Sequence, residues 1–284
     1  MITKAHKRQT AKYAVYKYIS RCALLITLTA LAAVVVFILI RGLPFVNLNL
    51  LFGEYDSKDP TIMPALAGTL YLVAISVCIA APVGIGSAIY LTEYTKTKSR
   101  LMRMVRVAAE TLAGIPSIVY GIFGYLVFVV ALGFKYSLIG GGITLAIMIL
   151  PVIIRSTEES LLAVPRQLRE GSFALGASKV RTIFSVVLPC AAGGIVTSLI
   201  LAVGRVISES AVLILTIGMV VDRMPEGFSS PGTSLALDVY YFGSHGYPEQ
   251  AAATGVVLII LVVSINMLAT ALGKAFGKGE LMNG

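Results

Sequence analysis

Apolar residues fill six windows of this chain almost without interruption: 19–40, 65–92, 112–132, 138–154, 188–207 and 251–272. A helix needs about twenty mostly apolar residues to cross the hydrocarbon of a bilayer, and each window is of that order. Each therefore predicts a transmembrane helix. The apolar run 211–221 is too short to span, and the hydrophilic stretches 155–189 and 222–250 are each too short to bury a core of their own. The expected fold class is an all-α polytopic membrane protein with six transmembrane helices.

Composition agrees with the pattern. Hydrophobic residues make up 57% of the chain, charged residues only 13%, and the mean hydropathy is +0.88, which excludes a soluble domain. A net charge of +9 invites a nucleic-acid reading, but the placement of the 23 Lys and Arg argues for membrane orientation instead. Eighteen of them lie before the first window, after the second, after the fourth or in the tail, whereas only Arg41, Lys58, Lys135 and Arg223 lie on the opposite side. This asymmetry predicts cytoplasmic termini and puts 155–189 in the cytoplasm. The basic and apolar N-terminus has too long an apolar run for a signal core and reads as an uncleaved anchor. Cys22, Cys78 and Cys190 are far apart in apolar runs, so neither a disulfide framework nor a zinc site is expected. No catalytic or metal-ligating constellation is apparent. Without a G-x-x-x-x-G-K-[ST] phosphate loop, any ATP-driven role requires a separate nucleotide-binding subunit.

The charged stretch 155–189 carries the densest functional signal: Glu170-Gly171-Ser172, then Gly176, then Leu188-Pro189. A short helix that seats in a groove on a soluble partner needs small residues for close approach and a flexible point at which to turn away. Gly171, Ser172, Ala174, Gly176 and Ala177 supply both. Pro165 suits a first helical turn, and Glu170 suits the positive end of such a helix. An ordinary amphipathic helix at the membrane interface has the same pattern.

Two charged residues stand inside or beside the fifth window. Arg205 and Glu209 are four apart, hence expected on one helix face, and a charge at membrane depth costs at least about 2.5–3.5 kcal/mol. They can pair with each other, lock subunits together, or serve an oxyanion through the guanidinium. Arg155, at the end of the fourth window, is either a topology marker or a second contact on an anion pathway, with Glu158 and Glu159 as nearby partners. Gly84, Gly86, Gly121 and Gly124 suggest close helix contacts. The aromatic cluster Tyr240, Tyr241, Phe242 and Tyr247 in 222–250 fits either a docking rim or headgroup anchoring.

The spacing of Glu170, Gly176, Leu188 and Pro189 resembles the E-A-A signature of ABC importer permeases, with Gly171 and Ser172 replacing two alanines and Val186 an isoleucine. The segments 112–121 (Leu-Ala-Gly-Ile-Pro-Ser-Ile-Val-Tyr-Gly) and 150–161 (Leu-Pro-Val-Ile-Ile-Arg-Ser-Thr-Glu-Glu-Ser-Leu) are similar to phosphate-specific permeases, and 204–210 resembles the charged segment of that family's fifth helix. Together they resemble the PstA family, one of two paralogous membrane subunits of a bacterial phosphate importer. The resemblance implies a type I ABC importer permease core over 63–272 with a cytoplasmic coupling helix, preceded by an N-terminus, first span and outer loop over 1–62 and followed by a tail over 273–284. It implies coupling residues Glu170, Gly171, Ser172, Gly176, Leu188 and Pro189, and pathway residues Arg205, Glu209 and Arg155. It further implies a multi-pass protein of the bacterial inner membrane and a second, related permease. Its other implied partners are two copies of an ATPase that holds ATP and Mg, and an extracytoplasmic phosphate-binding protein. Inorganic phosphate is the implied substrate. A permease for sulfate or molybdate, the paralogous phosphate permease, a gradient-driven secondary transporter and a non-transporting scaffold remain as alternatives.

Overall fold

Hydrocarbon cannot hydrogen-bond to a backbone, so a spanning chain must satisfy its own amides, and helices do so locally. The computed structural model describes residues 2–53, 55–56, 60–95 and 100–282, and its regular structure is all helical among the described residues. The long helix α1 (Ile2–Gly42) leads into the short α2 (Leu48–Phe52), whose first turn is capped by the Asn47 side chain accepting the Leu50 amide at 2.7 Å. Next, α3 (Met63–Ile89) ends in a π turn over Tyr90–Tyr94. The amphipathic α4 (Arg100–Ala113) precedes α5 (Ser117–Gly124), which continues as π-wound helix over Tyr125–Ala131. The central α6 (Leu138–Ala163) is followed by the short α7 (Arg166–Ala174). Then α8 (Lys179–Thr182) continues through a π turn, Ile183–Val187, into α9 (Leu188–Ile207). Two short helices, α10 (Ala211–Thr216) and α11 (Leu235–Ser244), lead to α12 (Pro248–Met282).

Among the described residues, five helical runs are long and apolar enough to cross a membrane: Tyr16–Phe45, Met63–Tyr94, Leu138–Ala163, Lys179–Ile207 and Pro248–Gly273. The pair Arg103–Ala113 and Ser117–Ala131 makes a sixth if taken as one span, but it is bent by 99°. This corrects the continuous window 112–132. Pro116 has no amide hydrogen and disfavours helical backbone at Ile115, so the chain breaks there. Leu112 thus falls in α4, while Ser117 begins the membrane-crossing arm. Pro116 is a boundary here rather than an interior bend, whereas Pro82 and Pro151 do lie inside helices. The fourth helix outruns its window to Ala163, because an amphipathic pattern replaces the wholly apolar one beyond Arg155.

The helix α6 is the hub, packing against α3, α9, α5, α4 and α10 with Leu138, Leu145, Met148, Ile149 and Ile153 fully buried. Its entry Gly140-Gly141-Gly142 is buried, and a Cβ at Gly142 would meet Ile75 Cγ2 of α3 at 2.6 Å. Small residues let membrane helices approach closely where no hydrophobic drive separates lipid from protein. Gly84, Gly121 and Gly124 serve that purpose, facing Ile153, Val212 and Thr144. Gly86 does not, since nothing lies within 4 Å of its Cβ direction. At the other extreme α1 buries none of its span and packs along α12, where a Cβ at Gly42 would come within 2.7 Å of Val256 Cγ2. Lys58, Lys96 and Lys98, which entered the charge asymmetry, lie outside the described residues.

The stretch 222–250 is folded rather than an open rim. Phe242 of α11 is fully buried in a cluster with Leu50, Ile62, Ala65 and Leu235, Tyr241 and Tyr247 pack against that cluster, and Tyr240 is exposed. Asp238 of the same helix is buried, outside the membrane-spanning runs. Thr233 Oγ1 donates to its Oδ1, while Oδ2 has no hydrogen-bond partner among the described residues. Burial pushes this carboxyl up from 3.8 to about 8, against a smaller opposing effect of the Thr233 hydrogen bond. The folded chain therefore binds a proton that the unfolded chain releases above pH ~4. Its stabilising effect is fully present below that pH and is lost as pH rises through about 8. In detergent, the melting temperature of the wild-type chain should fall from pH 5 to pH 9 by at least about 2 °C more than that of Asp238→Asn, the response to ~1 kcal/mol in a chain of this size; parallel curves would show that this carboxyl does not control the pH response.

Candidate functional site

The helix α7 begins directly after Pro165. Glu170 and Gly171 are exposed on it, and Ser172 is half-buried, its hydroxyl 2.9 Å from that of Thr182 on α8. Glu170 is the fifth residue of the helix, not part of its first turn, so the expected interaction with the positive end is not realised. At the far end, the Gly176 amide donates to Phe173 O at 2.9 Å and the Ala177 amide to Ser172 O at 3.1 Å. This is a Schellman closure, which requires left-handed backbone at the residue after the cap. Gly176 supplies it with φ +80, in open space, so the requirement is conformational and not steric. The side chains of Leu168, Phe173 and Leu175 are exposed on the same segment.

Leu188 and Pro189 do not belong to this turn. They start α9 within the unbroken run Lys179–Ile207, and Leu188 packs against a cluster of Ala88, Leu161, Val164 and Val187. Pro189 lacks the amide that an α-helix would use at that point, and the preceding backbone is wound as a π turn. The fifth span is accordingly longer at its start than the window 188–207.

Two ion pairs that the spacing did not reveal organise this end of the bundle. Arg169 of α7 donates from Nε and Nη2 to Glu93 Oε1 at 3.2 and 3.0 Å. The same guanidinium donates to Val164 O at 2.7 Å and Leu161 O at 2.8 Å, the last carbonyls of α6. The second pair joins Arg106 of α4 to Glu158 of α6, a carboxylate only 8% exposed. Sequence offered a weak signal for both: each acid lies at the edge of an apolar run, where an unpaired charge would be costly.

Arg155 and Glu159 form an exposed pair one helical turn apart at 3.1 Å. Glu158 takes no part in it. Arg155, Glu159, Arg106, Glu158 and Glu110 line a cavity of about 450 Å³ between α4 and α6, which contains neither Arg205 nor Glu209. Those two residues do not pair either. The helix α9 ends at Ile207, where Ser208 Oγ donates back to Gly204 O, so four-residue spacing no longer places the side chains on one face. Instead the Glu209 carboxylate accepts the amides of Ala211 and Val212 at 3.1 and 3.4 Å and caps α10. Arg205 is exposed and has no ion pair among the described residues. No cluster of three metal-ligating side chains occurs among the described residues.

Residues 80–279 match the family described as the binding-protein-dependent transport system inner membrane component. The chain belongs to that family. It is 34% identical over 233 residues to a probable ABC transporter permease protein, YqgI, of Bacillus subtilis, covering 76% of this chain and 79% of the relative. It is 35% identical over 210 residues to the phosphate transport system permease protein PstA 1 of Mycobacterium tuberculosis, covering 72% and 68%. With PstA of Yersinia pestis the identity is 36% over 208 residues, covering 72% and 70%. Among solved structures, the fold is similar to the inward-facing MetNI methionine ABC transporter (TM-score 0.60, 23% identity, 76% and 94% covered) and to a bacterial alginate ABC transporter (TM-score 0.65, 14% identity, 92% and 96% covered). The chain is thus a multi-pass inner-membrane transport subunit with the type I importer permease fold, not an enzyme, and it functions as one component of a binding-protein-dependent system.

The Schellman closure generates a prediction. Gly176→Val forces a β-branched side chain into left-handed backbone at a cost of about 1–2 kcal/mol. Amide exchange over 171–178 should accelerate by about tenfold or more while exchange in α6 stays unchanged; unchanged exchange at 171–178 would mean that the turn does not depend on this glycine.

Proposed function

We propose that this chain is the membrane-spanning permease subunit of an ATP-driven phosphate importer and forms half of its translocation pathway. The observation that carries the substrate is the identity of 35–36% with permeases named for phosphate transport, over more than two thirds of their lengths. In this reading the termini and α7 face the cytoplasm, as the basic residues favour. The exposed face around Glu170 and Gly171 docks on a separate ATPase, where ATP and Mg are bound, while Ser172 and Gly176 hold α7 in shape. Leu188 and Pro189 act from the base of α9. A second, related permease completes the pathway, and an extracytoplasmic phosphate-binding protein delivers the ion.

The pathway assignment rests on charge. Arg205 is exposed and free of intrachain ion pairs among the described residues, so its guanidinium is available for paired hydrogen bonds to a phosphate or for a carboxylate of the second permease. Glu209 caps α10 and so shapes the segment just beyond Arg205. Arg155 stands in the charged cavity between α4 and α6, in a position to meet an anion on its way inward. Closure of the ATPase dimer would draw the two coupling helices together and open the pathway outward; hydrolysis would reset it.

The test is uptake of radiolabelled phosphate by vesicles holding the full complex, with sulfate and molybdate as competitors. Uptake that needs both ATP and the binding protein is expected; competition by another oxyanion would move the substrate, and uptake driven by an ion gradient alone would refute the coupling role. In the same vesicles Glu170→Lys should leave the chain inserted but lower phosphate uptake by about tenfold, and normal uptake would remove Glu170 from the docking face. Arg205→Gln should reduce uptake by about a hundredfold with the ATPase still bound; loss of assembly would assign Arg205 to subunit contact instead.

A further inference from the structure

The α7 helix is joined to the rest of the chain by two short links, Val164-Pro165 on one side and the turn through Gly176 on the other. Beside the Ser172–Thr182 contact, a part-buried charge cluster holds its position: Arg169 and Glu93, at 17% and 12% exposure, meet at 3.0 Å. Two of the remaining three donors of the guanidinium go to Leu161 O and Val164 O at the end of α6, where a cation also complements the helix dipole. One side chain of α7 is thereby tied to α3, through the π turn that follows it, and to α6. Lys179 adds a fourth strand to the knot: its ammonium donates to Glu93 O and lies 4.7 Å from the ring centroid of Tyr94. A planar fork with donors on three nitrogens is the group that can bind a carboxylate and two carbonyls at once, and lysine cannot reproduce it.

We propose that Arg169 and Glu93 form a positioning clamp, buried in the bundle and not on the docking face, that makes α7, α3 and α6 move as one body. Movement imposed on α7 then reaches the two helices that form the core of the bundle in a single step. Without the clamp, α7 swivels on its links and the movement is lost. This inference rests on the reading of α7 as the ATPase-contacting helix, and adds to it the residues through which force leaves that helix.

The experiment uses the complete reconstituted complex and reads three quantities: ATPase recovered with the permease, ATP hydrolysis stimulated by the phosphate-loaded binding protein, and labelled phosphate taken up per ATP hydrolysed. Arg169→Gln and Glu93→Gln should each lower phosphate per ATP by about tenfold, within the span typical of lost coupling, with the ATPase recovered at wild-type level. Arg169→Lys, which keeps the charge but not the fork, should fall between the wild type and the Gln variants. The exchange Glu93→Arg with Arg169→Glu should recover part of the ratio by restoring the ion pair without the carbonyl contacts. A wild-type ratio in Arg169→Gln overturns the clamp. So does a loss of ATPase from the Gln variants accompanied by a wild-type ratio in Arg169→Lys, because the pair then serves assembly alone. Failure of the wild-type complex to respond to ATP at all would instead overturn the underlying reading of α7, whatever the variants do.

Discussion

Lipid chains are as apolar as leucine, so helices in a membrane gain little by hiding apolar surface from one another and are held by how closely they can approach. In this chain the helix approached from every side is α6, and the bundle depends on its slim, glycine-lined entry. Gly140, Gly141 and Gly142 are all buried, and neighbours from the 211–217 segment and from α3 come so near Gly141 and Gly142 that a β-carbon there would collide with them. Dispersion contacts add up only at such distances. Larger residues at this entry would push α3 and α10 outward and, with them, the segments that carry Glu93 and Arg205.

The charged residues are arranged around that hub according to depth. The acids at the α7 end of the bundle, Glu93 and Glu158, are largely buried and each meets an arginine from another helix, whereas the exposed Arg155–Glu159 pair is confined to one helix. An exposed pair contributes little, while breaking a buried one strands a charge at a cost of about 3–5 kcal/mol. These two part-buried pairs help to fix where α4 and α7 sit on the core, the α7 pair being the more enclosed because Arg106 of α4 is 46% exposed. Away from that end burial acts on a single acid: it pushes the Asp238 carboxyl up to about 8, with Thr233 as its hydroxyl partner.

Helix ends supply the remaining order. Glu209 terminates nothing and begins α10, Gly176 closes α7, and Ile115-Pro116 turns the chain sharply between α4 and α5. In each case a local backbone demand outranked a pattern of side-chain spacing. Arg205 and Glu209 illustrate the point: four residues apart in sequence, they are separated in role because the helix that would have aligned them stops two residues after Arg205.

The sequence by itself determined the membrane, the helical class, five of the spanning runs to within a turn or two at most ends, and the glycine that turns the chain after α7. Each of these is local or additive: hydropathy sums over twenty residues, and left-handed backbone is a property of one. It also carried the family, in short stretches whose residues could be recognised one by one. Tertiary structure alone decided which acid meets which arginine, since Glu93 finds Arg169 across 76 positions and Glu158 finds Arg106 across 52. It decided likewise that Phe242, with Tyr241 and Tyr247 against it, folds inward as core while Tyr240 stays exposed, and that Leu188 and Pro189 support a span instead of a loop. Those outcomes depend on which helices can approach closely enough to bury a charge or a ring, and no property of a single segment encodes that distance.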